Sequence, residues 1–298
     1  MGDIRIGPAG WSYEDWKGIV YPYPASTSFL PLPFLAQYFD TIEINSSYYR
    51  PPNARMSQGW VDRVSDNPRF KFTAKLWNRF THERSSWPVE DEIRRCRDGL
   101  TPLAEADKLG AILVQFPWSF RRTPENRQWL GRIIETFHEF PIAVEVRHIS
   151  WDDPAFYDGL RDRGVAYCNI DQPTLRDCLG PSEICTAPIG YARLHGRNSE
   201  NWFKDGIPPY ERYNYFYSPD ELKPWTNRIR SIQQLAEDTY VVTNNHYQGQ
   251  AIINALEIAA SLGPESAETR QFREDVRAKM KFAKQTNLDK QQTLRESR

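Results

Sequence analysis

Residues 239–258, TYVVTNNHYQGQAIINALEI, contain the pattern that decides the fold. The run from Thr239 to Asn244 is short, rich in β-branched residues and bounded by polar residues, which is typical of a strand. The apolar residues that follow predict a helix with one buried face, and they are Ile252, Ile253, Leu256 and Ile258. The stretch therefore predicts one strand followed by one helix.

The same strand pattern occurs eight times along the chain. The eight runs begin at Ile4, Thr41, Arg69, Ala111, Ile142, Val165, Ile189 and Thr239. Most are followed by helical spacing, as in the stripe formed by Leu130, Ile133, Ile134 and Phe137. Ser218 and Pro219 fit the N-cap and the first position of another helix. Residues 172–188 are the exception, since their pattern predicts little more than a short turn of helix.

Eight strand–helix units in roughly 260 residues match a (β/α)8 TIM barrel in count and in length. The competing doubly wound sheet would place a glycine-rich phosphate loop after an early strand. The loop after the first predicted strand, GPAGW at residues 7–11, has Pro8 and Trp11 where a pyrophosphate would have to approach. The sequence therefore predicts an α/β fold with a single TIM-barrel domain over residues 1–263.

The segment 264–298 differs in composition from the barrel. It holds nine Lys or Arg residues against six Asp or Glu. Its apolar residues predict a short amphipathic helix docked on the barrel, followed by a polar end from Gln285, and they are Phe272, Val276, Met280 and Phe282. A nucleic-acid-binding arm is the alternative interpretation of this charged helical tail.

Composition excludes several classes of protein. The chain has 40% hydrophobic and 26% charged residues, which is ordinary for a globular domain. No apolar run reaches the length of a membrane span, and the first residues lack the layout of a signal peptide, so we expect a cytoplasmic protein with no membrane partner. Four cysteines without a Cys-x-x-Cys pair predict reduced thiols rather than disulfides or a zinc site. The net charge of −1 gives no general attraction to nucleic acid.

The ends of the predicted strands carry polar side chains where a barrel keeps its functional sites. Residues two apart on a strand share a face, which pairs Glu43 with Asn45, Glu145 with Arg147, and Arg193 with His195. Lys75, Gln115, Asp171, Asn244 and Asn245 stand at or near the ends of other strands. If these faces point inward, the charges meet in one narrow mouth. They would form either a ligand site or a structural ion-pair network that fills the barrel.

Aromatic side chains follow the same strands. Trp11, Tyr48 and Trp151 lie in three of these loops, and His82 lies in a fourth. A set of rings around a charged mouth favours a ligand with flat faces, either a sugar ring or a nucleobase.

These residues occur in a series of segments that resembles a known family. The segments GPAGWSYEDWKGIVYP, YFDTIEINSSYYRPP, FKFTAKLWNRFTHER, LGAILVQFPWSF, AVEVRHISW, GYARLHGR and VVTNNHYQGQAIINA are similar to the YecE-like family, domain of unknown function 72. The resemblance covers about residues 3–262 and implies a TIM barrel without an established biochemical activity. A likeness of such barrels to endonuclease IV and to xylose isomerase is an analogy of fold only. The family's motif positions fall here on Trp11, Glu43, Asn45, Tyr48, Lys75, His82, Gln115, Glu145, Arg147, His148, Trp151, Arg193, His195 and Asn245.

The chain departs from the family pattern at two places. Ala9 stands where the family often has a small hydroxyl residue, and residues 198–217 form an insertion after the seventh strand. Both departures affect substrate detail rather than the fold.

Three functions are compatible with this set of residues. The first is an enzyme acting on an anionic ligand, such as a phosphorylated sugar or a nucleic-acid phosphodiester, by general acid/base chemistry at the mouth. In it, Glu43 or Glu145 is the base and His195 the acid, with Asp171 as a further catalytic candidate. The anion is clamped by Lys75, Arg147 and Arg193, and the remaining binding candidates are Asn45, Gln115, Asn245, His82, Trp11, Tyr48 and Trp151.

The second function is a metal-dependent isomerase or an endonuclease IV-like nuclease. Its oxygen and nitrogen ligands would come from Glu43, Glu145, Asp171 and His195. The scarcity of histidines and the cations beside these carboxylates argue against it, so no cofactor is expected. The third function is a non-catalytic sugar or nucleotide binder. The oligomeric state is left open.

Overall fold

Eight parallel strands form one sheet that closes into a barrel. The computed structural model describes residues 2–296, and side chains are described in that range except at 209, 284 and 286–296. The strands are β1 (Asp3–Pro8), β2 (Thr41–Ile44), β3 (Lys71–Lys75), β4 (Leu109–Gln115), β5 (Ile142–Glu145), β6 (Ala166–Asp171), β7 (Ile189–Leu194) and β8 (Asp238–Thr243). Their order is β1-β8-β7-β6-β5-β4-β3-β2, and each registered pair is parallel. The predicted (β/α)8 barrel is confirmed.

The barrel closes where β1 meets β2. The Gly10 amide donates to the Glu43 carbonyl oxygen at 2.8 Å, and Ala9 pairs with Glu43 in a parallel bridge. Glycine is required at position 7, since a Cβ there would lie 1.8 Å from the Thr41 carbonyl oxygen. The closure therefore depends on a residue without a side chain.

Ten helices accompany the strands in the described part of the chain. They are α1 (Pro31–Leu35), α2 (Ala54–Arg63), α3 (Asn78–Thr81), α4 (Glu90–Glu105), α5 (Pro124–Thr136), α6 (Pro154–Arg161), α7 (Pro209–Arg212), α8 (Pro219–Leu235), α9 (Gln250–Leu262) and α10 (Ala267–Glu296). Residues 172–188, all of them described, contain no helix, so β6 and β7 are joined by an irregular segment. The weak helical pattern of that stretch predicts this outcome.

Local sequence determines where the helices begin. Ser218 Oγ accepts a hydrogen bond from the Glu221 amide, and the Ser218 amide donates one to the Glu221 carboxylate, which completes a capping box before α8. Thr123 Oγ1 accepts a hydrogen bond from the Asn126 amide and so caps α5, with Pro124 at the first position. The predicted start at Ser218 and Pro219 is confirmed.

The C-terminal helix α10 packs on the barrel. Phe272, Val276 and Met280 are buried, and the Phe272 ring stacks on Tyr38 with centroids 4.0 Å apart. Phe282, which the pattern assigns to the same apolar face, is exposed. The helix is also longer than predicted, because the segment after Pro264 contains no glycine or proline that would end it. Residues 297 and 298 of the predicted tail lie outside the described residues, and the boundary at 263 stays a prediction.

No helix of the described chain is long and apolar enough to cross a membrane. The four cysteines are free, and Cys96 and Cys168 are buried.

Candidate functional site

Arg193 lies in the barrel interior between two carboxylates. Its Nη2 donates to Glu43 Oε1 and its Nη1 donates to Glu145 Oε2, each at 2.6 Å. The three residues come from β7, β2 and β5, so the contacts cross the interior. Glu43 and Glu145 are fully buried and Arg193 is 1% exposed. Tyr191, one pleat deeper on β7, places its hydroxyl 3.1 Å from Glu43 Oε2.

Arg147 completes the ionic network. Its Nε and Nη2 lie 3.0 and 2.9 Å from Glu145 Oε1, and 12% of its side chain is exposed. Burial alone would raise the pKa of Glu145, but the Arg193 guanidinium, with His195 and Arg147, holds it well below its usual range. Glu145 and Arg147 both face the interior, as the alternation of strand side chains predicts.

His195 is buried as a neutral imidazole. Its Nε2 lies 3.1 Å from Glu145 Oε1 and its Nδ1 lies 3.0 Å from Asn244 Nδ2. A carboxylate only accepts and an amide nitrogen only donates, so the proton is assigned to Nε2. Burial, together with the Arg147 and Arg193 guanidiniums and against the attraction of Glu145, lowers the pKa of His195 to about 3. The imidazole therefore does not take up a proton near neutral pH.

This protonation state makes folding stability depend on pH. Below pH 6.5, the usual pKa of histidine, the unfolded chain protonates His195 while the native protein does not. We expect the free energy of unfolding to fall between pH 6.5 and about 5, by up to about 1.4 kcal/mol per pH unit for each such histidine. Urea unfolding of wild type and His195→Gln at several pH values measures the slope. His82 contributes with the same sign, since burial and then Lys75 lower its pKa to about 3.

His195→Gln should make the slope shallower. The same substitution at the exposed His138 measures how much of any change comes from replacing a histidine as such. An unchanged slope in His195→Gln would show that the native imidazole is protonated in this range.

A cavity of about 860 Å³ opens above the ionic network, at the C-terminal end of the strands. Its floor is formed by Asn45 and Arg147, which lie two residues beyond Glu43 and Glu145, together with Lys75 and Gln115. The long β7–α8 loop contributes to one wall through Trp202, Phe203, Arg212 and Tyr213. Further rings in the lining are Trp11, Tyr13, Tyr48, Tyr49, Trp118, His82 and His246.

The lining carries positive charge and no carboxylate. Lys75, Arg147 and Arg212 are its cationic side chains, and among the described residues no Asp or Glu lines the cavity. Arg212 Nη2 donates to the Lys204 carbonyl oxygen at 3.1 Å, and no described carboxylate lies within ion-pair distance of its guanidinium. Such a surface attracts an anion.

Lys75 differs from the two arginines. Its Nζ lies 4.0 Å from the centroid of the Tyr48 ring, and no hydrogen bond or ion pair joins it to any side chain or carbonyl that the structure describes. Burial, followed by the Arg193 guanidinium, lowers the pKa of Lys75 to about 7, although Glu43 and Glu145 attract the charged form. A substantial fraction of this amine is therefore neutral at physiological pH.

The structure brings most of the predicted site residues together in two layers. The cavity lining contains Trp11, Asn45, Tyr48, Lys75, His82, Gln115 and Arg147. The buried layer beneath it contains Glu43, Glu145, Arg193 and His195. The roles predicted for Glu145 as base and His195 as acid gain no support from this geometry, because both are sealed from the cavity.

Three predicted site residues lie elsewhere. Asp171 points outward from β6 and accepts hydrogen bonds from Arg197 at 2.8 and 2.7 Å and from the Trp225 indole of α8. Asn245 donates to the Tyr215 carbonyl oxygen and to Asn254 of α9. Trp151 is buried, and its indole donates to the Phe120 carbonyl oxygen. All three join the barrel to its outer layer.

Sequence reasoning missed several lining residues. Asn244, which the sequence places at a strand end but outside the set of binding candidates, reaches the cavity in place of its neighbour Asn245. Arg212 and Tyr213 come from the segment PYERYNYFY, residues 209–217, which has no strand pattern to orient it. The only indication in the sequence is an arginine among tyrosines after a predicted strand.

The side chains that could coordinate a metal ion do not form a complete set of ligands. Within residues 2–296, no group of three or more His, Cys, Asp and Glu side chains is arranged to hold one. Arg193 occupies the position between Glu43 and Glu145 that a cation would take, and Asp171 faces away from both.

Sequence comparison identifies the family. Residues 5–279 match the model described as "Protein of unknown function DUF72". The chain belongs to this family. It is 30% identical over 264 residues to UPF0759 protein YunF of Bacillus subtilis, covering 84% of this chain and 92% of YunF. It is 24% identical to UPF0759 protein YecE of Escherichia coli K12 over 56% of this chain and 59% of YecE.

Solved structures of DUF72 relatives have the same fold. A DUF72 protein from Thermotoga maritima superposes with a TM-score of 0.75 at 34% identity, covering 87% of this chain and 98% of the relative. One from Enterococcus faecalis gives a TM-score of 0.77 at 26% identity, covering 89% and 97%. The resemblance found in the sequence segments is thus confirmed across the barrel.

Proposed function

We propose that this protein is an enzyme that acts on a small anionic molecule bound in the mouth cavity. The observation that carries the proposal is the lining itself, which presents Lys75, Arg147 and Arg212 without a carboxylate among the described residues. Arginine and lysine are the side chains that proteins use to bind phosphate and carboxylate groups.

A charge count supports an anion at this position. In the buried layer, the two carboxylates of Glu43 and Glu145 are balanced by the guanidiniums of Arg193 and Arg147. Arg212 and the protonated fraction of Lys75 remain in excess at the cavity. An anionic group on the ligand would neutralise this charge in a partly desolvated site, where such an interaction is stronger than in water.

The walls and the size of the cavity indicate the rest of the ligand. Rings in the lining, such as Trp11 and Trp202, offer faces for a sugar or a planar ring. The volume of about 860 Å³ falls within the range of about 300–1,000 Å³ for small-molecule sites. These properties favour a phosphorylated sugar or similar molecule over a nucleic-acid strand.

Lys75 is the group that favours catalysis over simple binding. A catalytic acid or base works best when its pKa lies near the working pH, and the pKa of Lys75 is about 7. Its amine faces the cavity, whereas the carboxylates and His195 are enclosed beneath. We therefore assign the proton transfer to Lys75, with Arg147 and Arg212 as anion-binding groups.

Sulfate should bind in the cavity and stabilise the protein in proportion to ln(1 + [L]/Kd). The shift of the melting temperature should decrease as the pH rises from about 6 to about 8, because the amine with a pKa of about 7 loses its proton while sulfate keeps its charge. Arg212→Gln should weaken binding roughly tenfold or more, since losing one charged hydrogen bond costs about 1.5–3 kcal/mol. Melting curves in sulfate and chloride at matched ionic strength give the result.

The controls use cations outside the cavity. Arg176→Gln removes a guanidinium whose side chain is 95% exposed in the β6–β7 segment, and it should leave the sulfate effect unchanged. Lys75→Met should remove the pH dependence. Equal sulfate stabilisation in wild type, Arg212→Gln and Lys75→Met would refute the anion site.

Catalysis is tested separately with ligands found by the same assay. Phosphorylated sugars and nucleotides that stabilise the wild type are incubated with it and analysed by mass spectrometry and NMR for products. Turnover that Lys75→Met abolishes while the ligand still binds supports the enzyme. Binding without turnover of any of them would favour the non-catalytic binder.

A further inference from the structure

The environment of Lys75 resembles that of an amine prepared for covalent chemistry. Lys75 ends β3 at the floor of the cavity, and the Tyr48 ring supports its Nζ from one side. The two other basic groups on the lining are held by hydrogen bonds, Arg147 to Glu145 and Arg212 to the Lys204 carbonyl oxygen. Within the described residues, Lys75 has no such partner that would have to be displaced before its nitrogen lone pair could react.

Neighbouring cations favour the neutral, nucleophilic form of this amine. Arg193 and Arg147 both disfavour its protonation, and partial burial removes some of the water around it. A lysine activated by desolvation or by an adjacent cation is a recognised nucleophile toward carbonyl compounds. A lysine that is paired with a carboxylate would instead be kept protonated and unreactive.

We propose that Lys75 forms an imine with an aldehyde or ketone that carries an anionic group. The inference rests on the proposed function, since Arg212 and Arg147 are needed to orient the anion. It narrows the substrate class from an anionic ligand to an anionic carbonyl compound.

The chemistry of the step balances without an oxidant or a reductant. The Lys75 nitrogen attacks the carbonyl carbon, and a proton moves from nitrogen to the carbonyl oxygen to give a carbinolamine. The carbinolamine loses the hydroxyl with a proton as water, and a carbon–nitrogen double bond forms. Aromatic side chains such as Trp202 and Tyr213 line the cavity, and apolar walls reduce the water around an imine that would hydrolyse it.

The imine can be trapped by reduction. The full chain is incubated with pyridoxal 5′-phosphate or with glyoxylate, two anionic aldehydes of different size, and treated with borohydride, which delivers hydride to the imine carbon. Mass spectrometry of the peptides then locates the secondary amine. We expect Lys75 to carry most of the label when the aldehyde is present at one equivalent, and sulfate to compete with it.

The rate of labelling distinguishes Lys75 from ordinary surface lysines. It should level off above about pH 7, where the Lys75 amine has lost its proton, while labelling at exposed lysines continues to rise toward their usual pKa of about 10.4. Pyridoxal, which lacks the phosphate, should label Lys75 at least tenfold more slowly. Lys71→Met is the matched control at the other end of the same strand and should keep the label at Lys75.

The outcomes separate this inference from the proposed function. Labels from both aldehydes that spread over exposed lysines, with Lys75 no more reactive than they are, would overturn the imine even if sulfate still binds in an Arg212-dependent way. Failure of sulfate to bind to the wild-type protein would instead contradict the anion site. A label on Lys75 that sulfate and Arg212→Gln both reduce supports the two together.

Discussion

Replacing Arg193 by Met should lower the free energy of unfolding by about 3–5 kcal/mol or more, the range observed when one partner of a buried ion pair is removed. The guanidinium is 1% exposed, and it is the contact that joins the carboxylates of Glu43 and Glu145. Without it, the two buried carboxylates would lose most of the positive charge that balances them. Glu145 would keep a cationic partner in Arg147, and Glu43 would not. Urea unfolding at pH 7 measures the loss.

A charge-balanced variant shows whether the loss comes from unpaired charge or from packing. This triple variant combines Glu43→Gln, Glu145→Gln and Arg193→Met. It removes all three charges and keeps the volumes of the side chains similar. It should recover much of the stability, because neutral replacements of a buried ion network are often tolerated. Glu43→Gln alone should also cost about 3–5 kcal/mol. A cost within about 1 kcal/mol for Arg193→Met would mean that the network is hydrated and belongs to the ligand site.

The sequence leaves open whether the polar residues at the strand ends form a ligand site or a structural ion-pair network, and the structure contains a layer that fits each interpretation. Glu43, Glu145, Arg193 and His195 fill the barrel as a paired structural layer, while Lys75 and others of the same polar set lie above them at the cavity. Residue type does not separate the layers. At the ends of β2 and β5 the division depends on a single pleat, from Glu43 to Asn45 and from Glu145 to Arg147, whereas on β7 both Arg193 and His195 are buried.

Alternation of strand side chains predicts the inward-facing residues wherever a strand has two polar residues on one face. It succeeds for Glu145 with Arg147 and for Arg193 with His195. It does not decide the face of a single polar residue at a strand end, since Lys75 and Gln115 reach the cavity whereas Asp171 does not. Cys168 of β6 faces the interior beside Glu145, so Asp171, three positions on, faces outward.

Loops were less predictable than strands for a physical reason. Arg212 and Tyr213 reach the cavity through a loop whose course depends on tertiary contacts, such as the stacking of Tyr210 on Tyr247. A periodic pattern records burial on one face of a regular element, and a loop has no such period. The fold, the interior network and the loop residues Trp11, Tyr48 and His82 could therefore be predicted from the sequence, whereas the part of the cavity wall formed by Arg212 and Tyr213 could not.

Asp171→Asn should destabilise the protein by about 3 kcal/mol, at the lower end of the range for a buried pair, and leave sulfate binding unchanged. Asp171 is fully buried and receives hydrogen bonds from two nitrogens of Arg197 and from the Trp225 indole. An amide can accept at only one of its two atoms, so a donor of Arg197 or Trp225 would face the new NH2 group. Arg197 is 33% exposed and regains some hydration, which limits the loss.

Asp177→Asn provides the matched comparison. Its carboxylate lies on the loop that follows the same strand, with a side chain 44% exposed, so the same change there should alter stability by no more than about 0.5 kcal/mol. Urea unfolding and sulfate melting curves of both variants are compared at pH 7. If Asp171 served the ligand, its replacement would change sulfate binding at little cost in stability. The contacts to Arg197 and Trp225 predict the reverse, because they use the carboxylate to fasten α8 to β6 on the side of the strand that faces away from the cavity.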